Sequence, residues 1–140
     1  MASGTENKVI AHYLDGTLLK GTTRDFYPRK AKFRVETANG DTQVVHVEEL
    51  KALFFVRNFE GRPEYRERKG FFLRRSKGKK VMVEFFDGEV IFGFTSSYSE
   101  KGYGFFMRPG DPDSNNMKIF VVRSSTKRVK IQDQPKVAAS

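Results

Sequence analysis

One nine-residue pattern occurs twice in this chain. Lys8-Val-Ile-Ala-His-Tyr-Leu-Asp-Gly16 lies 72 residues before Lys80-Val-Met-Val-Glu-Phe-Phe-Asp-Gly88. The match runs on without a gap. Thr17-Leu-Leu-Lys-Gly21-Thr-Thr23 aligns with Glu89-Val-Ile-Phe-Gly93-Phe-Thr95, and further along Phe33 meets Phe105 and Val35 meets Met107. The alignment then needs three extra residues in the second copy, within Gly110 to Asn116, so that Val45 and Val47 meet Phe120 and Val122, and His46 meets Val121. A duplication of a unit of about fifty residues restricts the fold to something that one small unit forms and a second copy extends.

Each unit reads as strands. Val9, Ala11 and Tyr13 alternate with Lys8, Ile10 and His12, and Val81, Val83 and Phe85 alternate with Lys80, Met82 and Glu84. That is the two-residue period of a half-buried strand. Asp15-Gly16 and Asp87-Gly88 separate apolar runs and predict tight hairpins, in which both turn residues take positive φ. Asn39-Gly40 predicts another, and Pro109-Gly110-Asp111-Pro112-Asp113 a longer loop at the matching place. The expected strands are 8–14, 17–25, 31–37, 43–48 and 51–57, then 80–86, 89–97, 103–108, 117–123 and 127–131. Five short strands in each unit predict an all-β chain of two tandem five-stranded small barrels, 8–59 and 80–131, since curling hides strand edges. Residues 60–79 form the linker, and 1–7 and 132–140 are expected to be disordered tails.

Composition narrows the chemistry. The 140 residues contain no Cys and two His, which excludes disulfides, thiolate metal sites, cysteine nucleophiles and a histidine-rich metal centre. No apolar run approaches the roughly 20 residues that span a bilayer. The N-terminal residues have neither a basic start nor an apolar stretch, so a cytoplasmic protein without membrane insertion is expected. No Ser-His-Asp pattern, nucleophile elbow or phosphate loop occurs, so no enzyme activity, cofactor or metal is expected. Asp15 and Asp87 read as turn residues rather than a catalytic pair. His12 aligns with Glu84 and reads as a residue on a solvated strand face.

The charge is local. Net charge is +9, and residues 60–80 hold nine basic residues against three glutamates, which is +6 of it. Phe is abundant, at 14 residues, with no Trp. Phe85, Phe105 and Phe120 fit strand interiors. In Phe54-Phe55, Phe71-Phe72 and Phe105-Phe106, consecutive side chains point to opposite faces of an extended chain. One of each pair therefore leaves its own unit, to pack between units or to serve as a stacking platform. Aromatics beside Arg and Lys suit single-stranded nucleic acids. The candidate anion or nucleic-acid residues are Arg62, Arg66, Arg68, Lys69, Phe71, Phe72, Arg74, Arg75, Lys77 and Arg123. Tyr27, Arg29, Lys30 and Lys32 supply the same mixture in the first unit, and Tyr98, Lys101 and Tyr103 in the second.

Three resemblances extend this reading. Val-x-Val-x-Phe-x-Asp-Gly-x-x-x-x-Gly, from Val81 to Gly93, resembles the first motif of the Sm-like superfamily, and Val9 to Gly21 is a weaker copy. The resemblance implies bent five-stranded sheets and RNA as a ligand class. The second Sm motif is matched only in part, by Arg123. Other SH3-like small barrels share the first motif. Leu53-Phe-Phe-Val-Arg-Asn-Phe-Glu-Gly61 and Gly104-Phe-Phe-Met-Arg-Pro-Gly-Asp-Pro-Asp-Ser-Asn-Asn116 resemble an uncharacterised bacterial family of tandem small β-domains, which implies no activity. Arg62-Pro-Glu-Tyr-Arg66 and Ser97-Tyr-Ser99-Glu-Lys-Gly102 resemble the two PilZ motifs, with Ser97 in place of the acid or amide. That resemblance implies a cyclic di-GMP site at Arg62, Arg66, Ser97, Ser99 and Gly102. The leading expectation is a non-enzymatic module that binds RNA or single-stranded nucleic acid. The alternatives are a protein-interaction adaptor and a cyclic di-GMP sensor. A monomer or dimer is expected.

Overall fold

The computed structural model describes residues 6–60, 78–111 and 113–132. It contains ten strands: β1 (Asn7–Tyr13), β2 (Leu18–Thr23), β3 (Lys32–Glu36), β4 (Thr42–His46), β5 (Leu50–Val56), β6 (Lys79–Phe85), β7 (Val90–Thr95), β8 (Gly104–Pro109), β9 (Asn116–Val122) and β10 (Thr126–Gln132). Each overlaps an expected strand. Asn7 and Gln132, assigned to tails by the sequence, belong to the first and last strands. Residues 1–5, 61–77, 112 and 133–140 lie outside the described part.

The strands form one antiparallel sheet in the order β10-β6-β7-β8-β9-β5-β1-β2-β3-β4. The sequence predicts two tandem five-stranded barrels; among the described residues the ten strands form a single, unclosed sheet. The cause is a ladder between the halves, with Ala52 opposite Val121, Leu53 opposite Phe120 and Phe54 opposite Ile119. β5 and β9 therefore each serve two cores. Leu53 and Phe55 of β5 join Val9, Phe33, Val45, Phe120 and Val122 in the first. Ala52, Phe54 and Val56 join Val81, Val83, Phe85, Phe105, Ile119 and Val121 in the second. The consecutive Phe pairs split as a two-residue period demands: Phe54 and Phe105 face one core, Phe55 and Phe106 the other. A strand buried on both faces is apolar at nearly every position.

Register corrects the alignment after β8. Phe33 pairs with Val45, whereas Phe105 pairs with Val121. Val45 and Val121 are thus counterparts, and the second copy carries four extra residues rather than three. A one-residue slip would turn each side chain to the wrong face, and both valines are fully buried. Short 3-10 turns follow at Val47–Glu49 and Arg123–Ser125, in matching places.

The Asp-Gly hairpins form, but by a different device from the one expected. Gly16 has φ +93° and Gly88 φ +95°, while no described non-glycine residue has positive φ. Gly16 N–H donates to Tyr13 O (3.0 Å) and Tyr13 N–H to Thr17 O (2.9 Å), a three-residue loop whose left-handed residue is glycine. The Phe85–Glu89 and Thr37–Asp41 turns repeat this pattern. Asp15 and Asp87 each accept a backbone N–H two residues on, at 2.8 and 2.9 Å, which supports the turn reading. The motif glycines Gly21 and Gly93 have another role. A Cβ would lie 2.4 Å from Glu36 O at Gly21 and 1.9 Å from Arg108 O at Gly93. The strands cross too closely there for any side chain, which lets the sheet bend.

Candidate nucleic-acid interface

The first core opens at one end onto rings. Phe26, on the β2–β3 connection, packs edge-on against Phe33 and Phe120, each at 5.0 Å between centroids, and lies 6.1 Å from Phe106. Phe106 lies 5.1 Å from Phe120. Phe26, Tyr103 and Phe106 remain partly exposed. Lys118 of β9 is exposed and caps this end, with Nζ 4.7 Å from the Phe106 centroid and 4.8 Å from that of Phe55.

Asp25 holds the β2–β3 connection in place. Its carboxylate accepts Arg34 N–H at 3.0 Å and Arg34 Nε at 3.1 Å. Burial pushes the Asp25 carboxyl up, but these bonds and the Arg34 charge outweigh it and hold it below the usual range. Phe26 is thereby turned inward. Tyr27 is turned outward at 57% exposure, with Lys30 Nζ 5.6 Å from its ring centroid. Arg29 and Lys32 are exposed beside it in sequence.

The β7–β8 connection is held from β9 and the turn after it. Arg123 N–H donates to Tyr103 O at 2.8 Å. Its guanidinium donates to Ser99 O and, at 3.2 Å, to Lys101 O, and it lies 5.9 Å from the Tyr98 ring centroid. Nη1 of Arg123 is buried with no hydrogen-bond partner among the described residues. The Ser99 hydroxyl accepts Lys101 N–H at 3.0 Å, and Gly102 takes φ +79°. Ser97, Ser99 and Gly102 thus lie on one connection, between β7 and β8.

Of the sequence candidates, Arg123, Ser97, Ser99 and Gly102 are placed. Arg62, Arg66, Arg68, Lys69, Phe71, Phe72, Arg74, Arg75 and Lys77 lie outside the described residues. Lys118 and Phe26 were missed. Lys118 gains its meaning only from lying opposite Phe55 in the β5–β9 ladder, a pairing that no local pattern reveals. His12 also differs from expectation. It is half-buried, with its ring 4.2 Å from that of Phe54. Burial first, and the nearby Lys51 charge second, push its pKa below the ordinary value.

Among the described residues no group of acidic, His or Cys side chains is arranged to hold a metal ion. No described helix is long and apolar enough to cross a membrane. Fold and surface together define an all-β protein whose described residues form ten antiparallel strands in one sheet, with a cation-edged aromatic opening beside its central junction. Within that class the chain belongs to a family of unknown function (DUF6982), which matches residues 5–132. No curated protein and no solved structure matches it.

Proposed function

We propose that the protein is a non-enzymatic module, built from two small Sm-like or SH3-like β units, that binds RNA or single-stranded nucleic acid. The carrying observation is the partly exposed Phe26 and Phe106 rings with the Lys118 ammonium over Phe106, Tyr103 partly exposed on the same core, and Tyr27 and Lys30 on the β2–β3 connection. Bases stack on such rings without sequence preference, and cations beside them meet phosphates. The basic residues of 60–80 supply further positive charge for the backbone.

The test is fluorescence anisotropy of a labelled mixed-sequence single-stranded RNA at ~50 and ~200 mM salt. Binding weakens steeply between the two. Tyr27→Ala lowers affinity about fivefold or more at either salt, as expected when one stacking ring is removed. Arg74→Ala with Arg75→Ala reduces the salt slope, by about one for each phosphate no longer neutralised. No binding at the lower salt overturns the reading. Saturable binding of cyclic di-GMP that Arg62→Ala or Arg66→Ala abolishes would replace it.

A further inference from the structure

The two edges of the sheet are the same two kinds of strand that join at its centre. β5 and β10 each flank the first strand of their half, and β9 and β4 each flank the third. β5 and β9 are paired, whereas among the described residues β10 and β4 have no partner strand on their outer sides. A cavity of about 740 Å³ lies at the β4 end. Its lining includes Tyr13, Asp15, Thr17, Glu48 and Glu49.

The second half shows what fills this place. Tyr13, Asp15, Thr17 and Glu49 are the counterparts of Phe85, Asp87, Glu89 and Ser125. Those four residues hold Lys51 of β5. Its Nζ donates to Asp87 Oδ2 at 2.6 Å and to the Glu89 carboxylate, and it lies 4.7 Å from the Phe85 centroid. The Ser125 hydroxyl donates to the Lys51 carbonyl at 2.8 Å. In the first half the same position is an open cavity with three carboxylates. The counterpart of Lys51 is Lys127 on β10, and it is exposed.

We infer that β10 of one chain adds to the β4 edge of a second copy, with Lys127 entering the cavity beside Asp15, Glu48 and Glu49. Charge and apolar surface both fit. β10 carries Lys127, Arg128 and Lys130 and no acid. In the central register Val129 lies opposite Val44, which is 53% exposed, while its counterpart Phe120 is buried. Arg128 and Lys130 stand where β5 has Ala52 and Phe54, so this contact is electrostatic and reversible rather than a third shared core. The two surfaces differ, so the contact is head-to-tail.

Sedimentation velocity of the full chain at ~50 mM salt tests this. The average mass rises above the monomer with concentration and falls back when salt is added. Lys127→Glu weakens association about tenfold or more. Glu48→Gln with Glu49→Gln weakens it as well, without creating a positive site that Glu at position 127 could pair with, and circular dichroism checks that both variants fold. Mixing the two variants is decisive, since each keeps the end that the other lacks. The mixture forms a one-to-one dimer and nothing larger. A wild-type chain that stays monomeric throughout overturns the inference. So does a mixture that stays monomeric, or a variant that self-associates as well as wild type.

Discussion

β5 and β10 hold equivalent places in the two halves, yet their sequences follow different rules. β5 reads Leu-Lys-Ala-Leu-Phe-Phe-Val and is buried at every position but Lys51. β10 reads Thr-Lys-Arg-Val-Lys-Ile-Gln and alternates half-buried Val129 and Ile131 with exposed Lys and Arg. β9 and β4 differ in the same way: Ile119 to Val122 are all buried, whereas only Val45 is buried in β4. The contrast shows what a neighbour does to a strand. With cores on both faces, a strand gains from carbon at each position. With one core, the outer face keeps its charge, and Lys and Arg on an open edge limit indiscriminate pairing. The junction is thus a shared core, and the outer edges are soluble versions of the same surfaces.

Several substitutions sharpen or break this contrast. Backbone proximity sets the severest case. Gly104→Ala would place a Cβ 1.8 Å from Val121 O, inside the β8–β9 ladder beside the junction. We expect a loss of at least about 4 kcal/mol, or no folded protein. Gly40→Ala, in an open edge turn with φ +87° and nothing within 4 Å, should cost only about 1 kcal/mol of backbone strain. Urea denaturation of both variants makes the comparison, and similar losses would refute it. Next comes side-chain volume. Phe120→Ala empties the centre of the first core and should cost about 3–5 kcal/mol, against ~1 kcal/mol for half-buried Val129→Ala on the edge. Equal losses would mean that β10 is covered in solution.

The lysine pair gives a smaller effect. Lys51 is 12% exposed among Asp87, Glu89 and the Phe85 ring, whereas Lys127 is exposed. Lys51→Ala should cost about 1–3 kcal/mol by leaving two carboxylates facing each other. Lys127→Ala should leave the stability of the monomer unchanged within about 0.5 kcal/mol. The Lys51 contribution also depends on pH. Burial pulls the Lys51 pKa down, but its bonds to Asp87 and Glu89 outweigh this and hold it above the usual value. Lys51's hydrogen bond, then the Glu89 N–H, hold the Asp87 carboxyl below its own. The Asp87 part is therefore fully present above its ordinary titration near pH 4 and is lost as pH falls through the lowered value. The Lys51 part is present below the ordinary lysine range and is lost as pH rises through the raised one. Urea midpoints across acid and alkaline pH, for wild type against Lys51→Ala, check both limbs; parallel curves would remove the triad from the account.

The smallest effect belongs to His12. Its pKa is depressed by burial against Phe54 and by the Lys51 charge. Its contribution is thus present above the ordinary value near 6.5 and shrinks as pH falls through the lowered one. His12→Phe should flatten that part of the stability profile.

Much of this architecture was legible from local pattern. Ten strands, the Asp-Gly turns and the burial of Phe85, Phe105 and Phe120 all follow from two-residue periodicity and turn chemistry, because each depends only on residues near in the chain. Consecutive phenylalanines also announced that some strands serve two faces. Local pattern did not name the strand on the other side. That β5 pairs with β9, that four extra residues rather than three precede β9, and that Lys118 caps Phe55 and Phe106 were decided by long-range register. So was the difference between buried Lys51 and exposed Lys127. A lysine in a strand carries no record of its neighbour, and only the assembled sheet brought Asp87 and Glu89, more than thirty residues away, to the one and left the other in water.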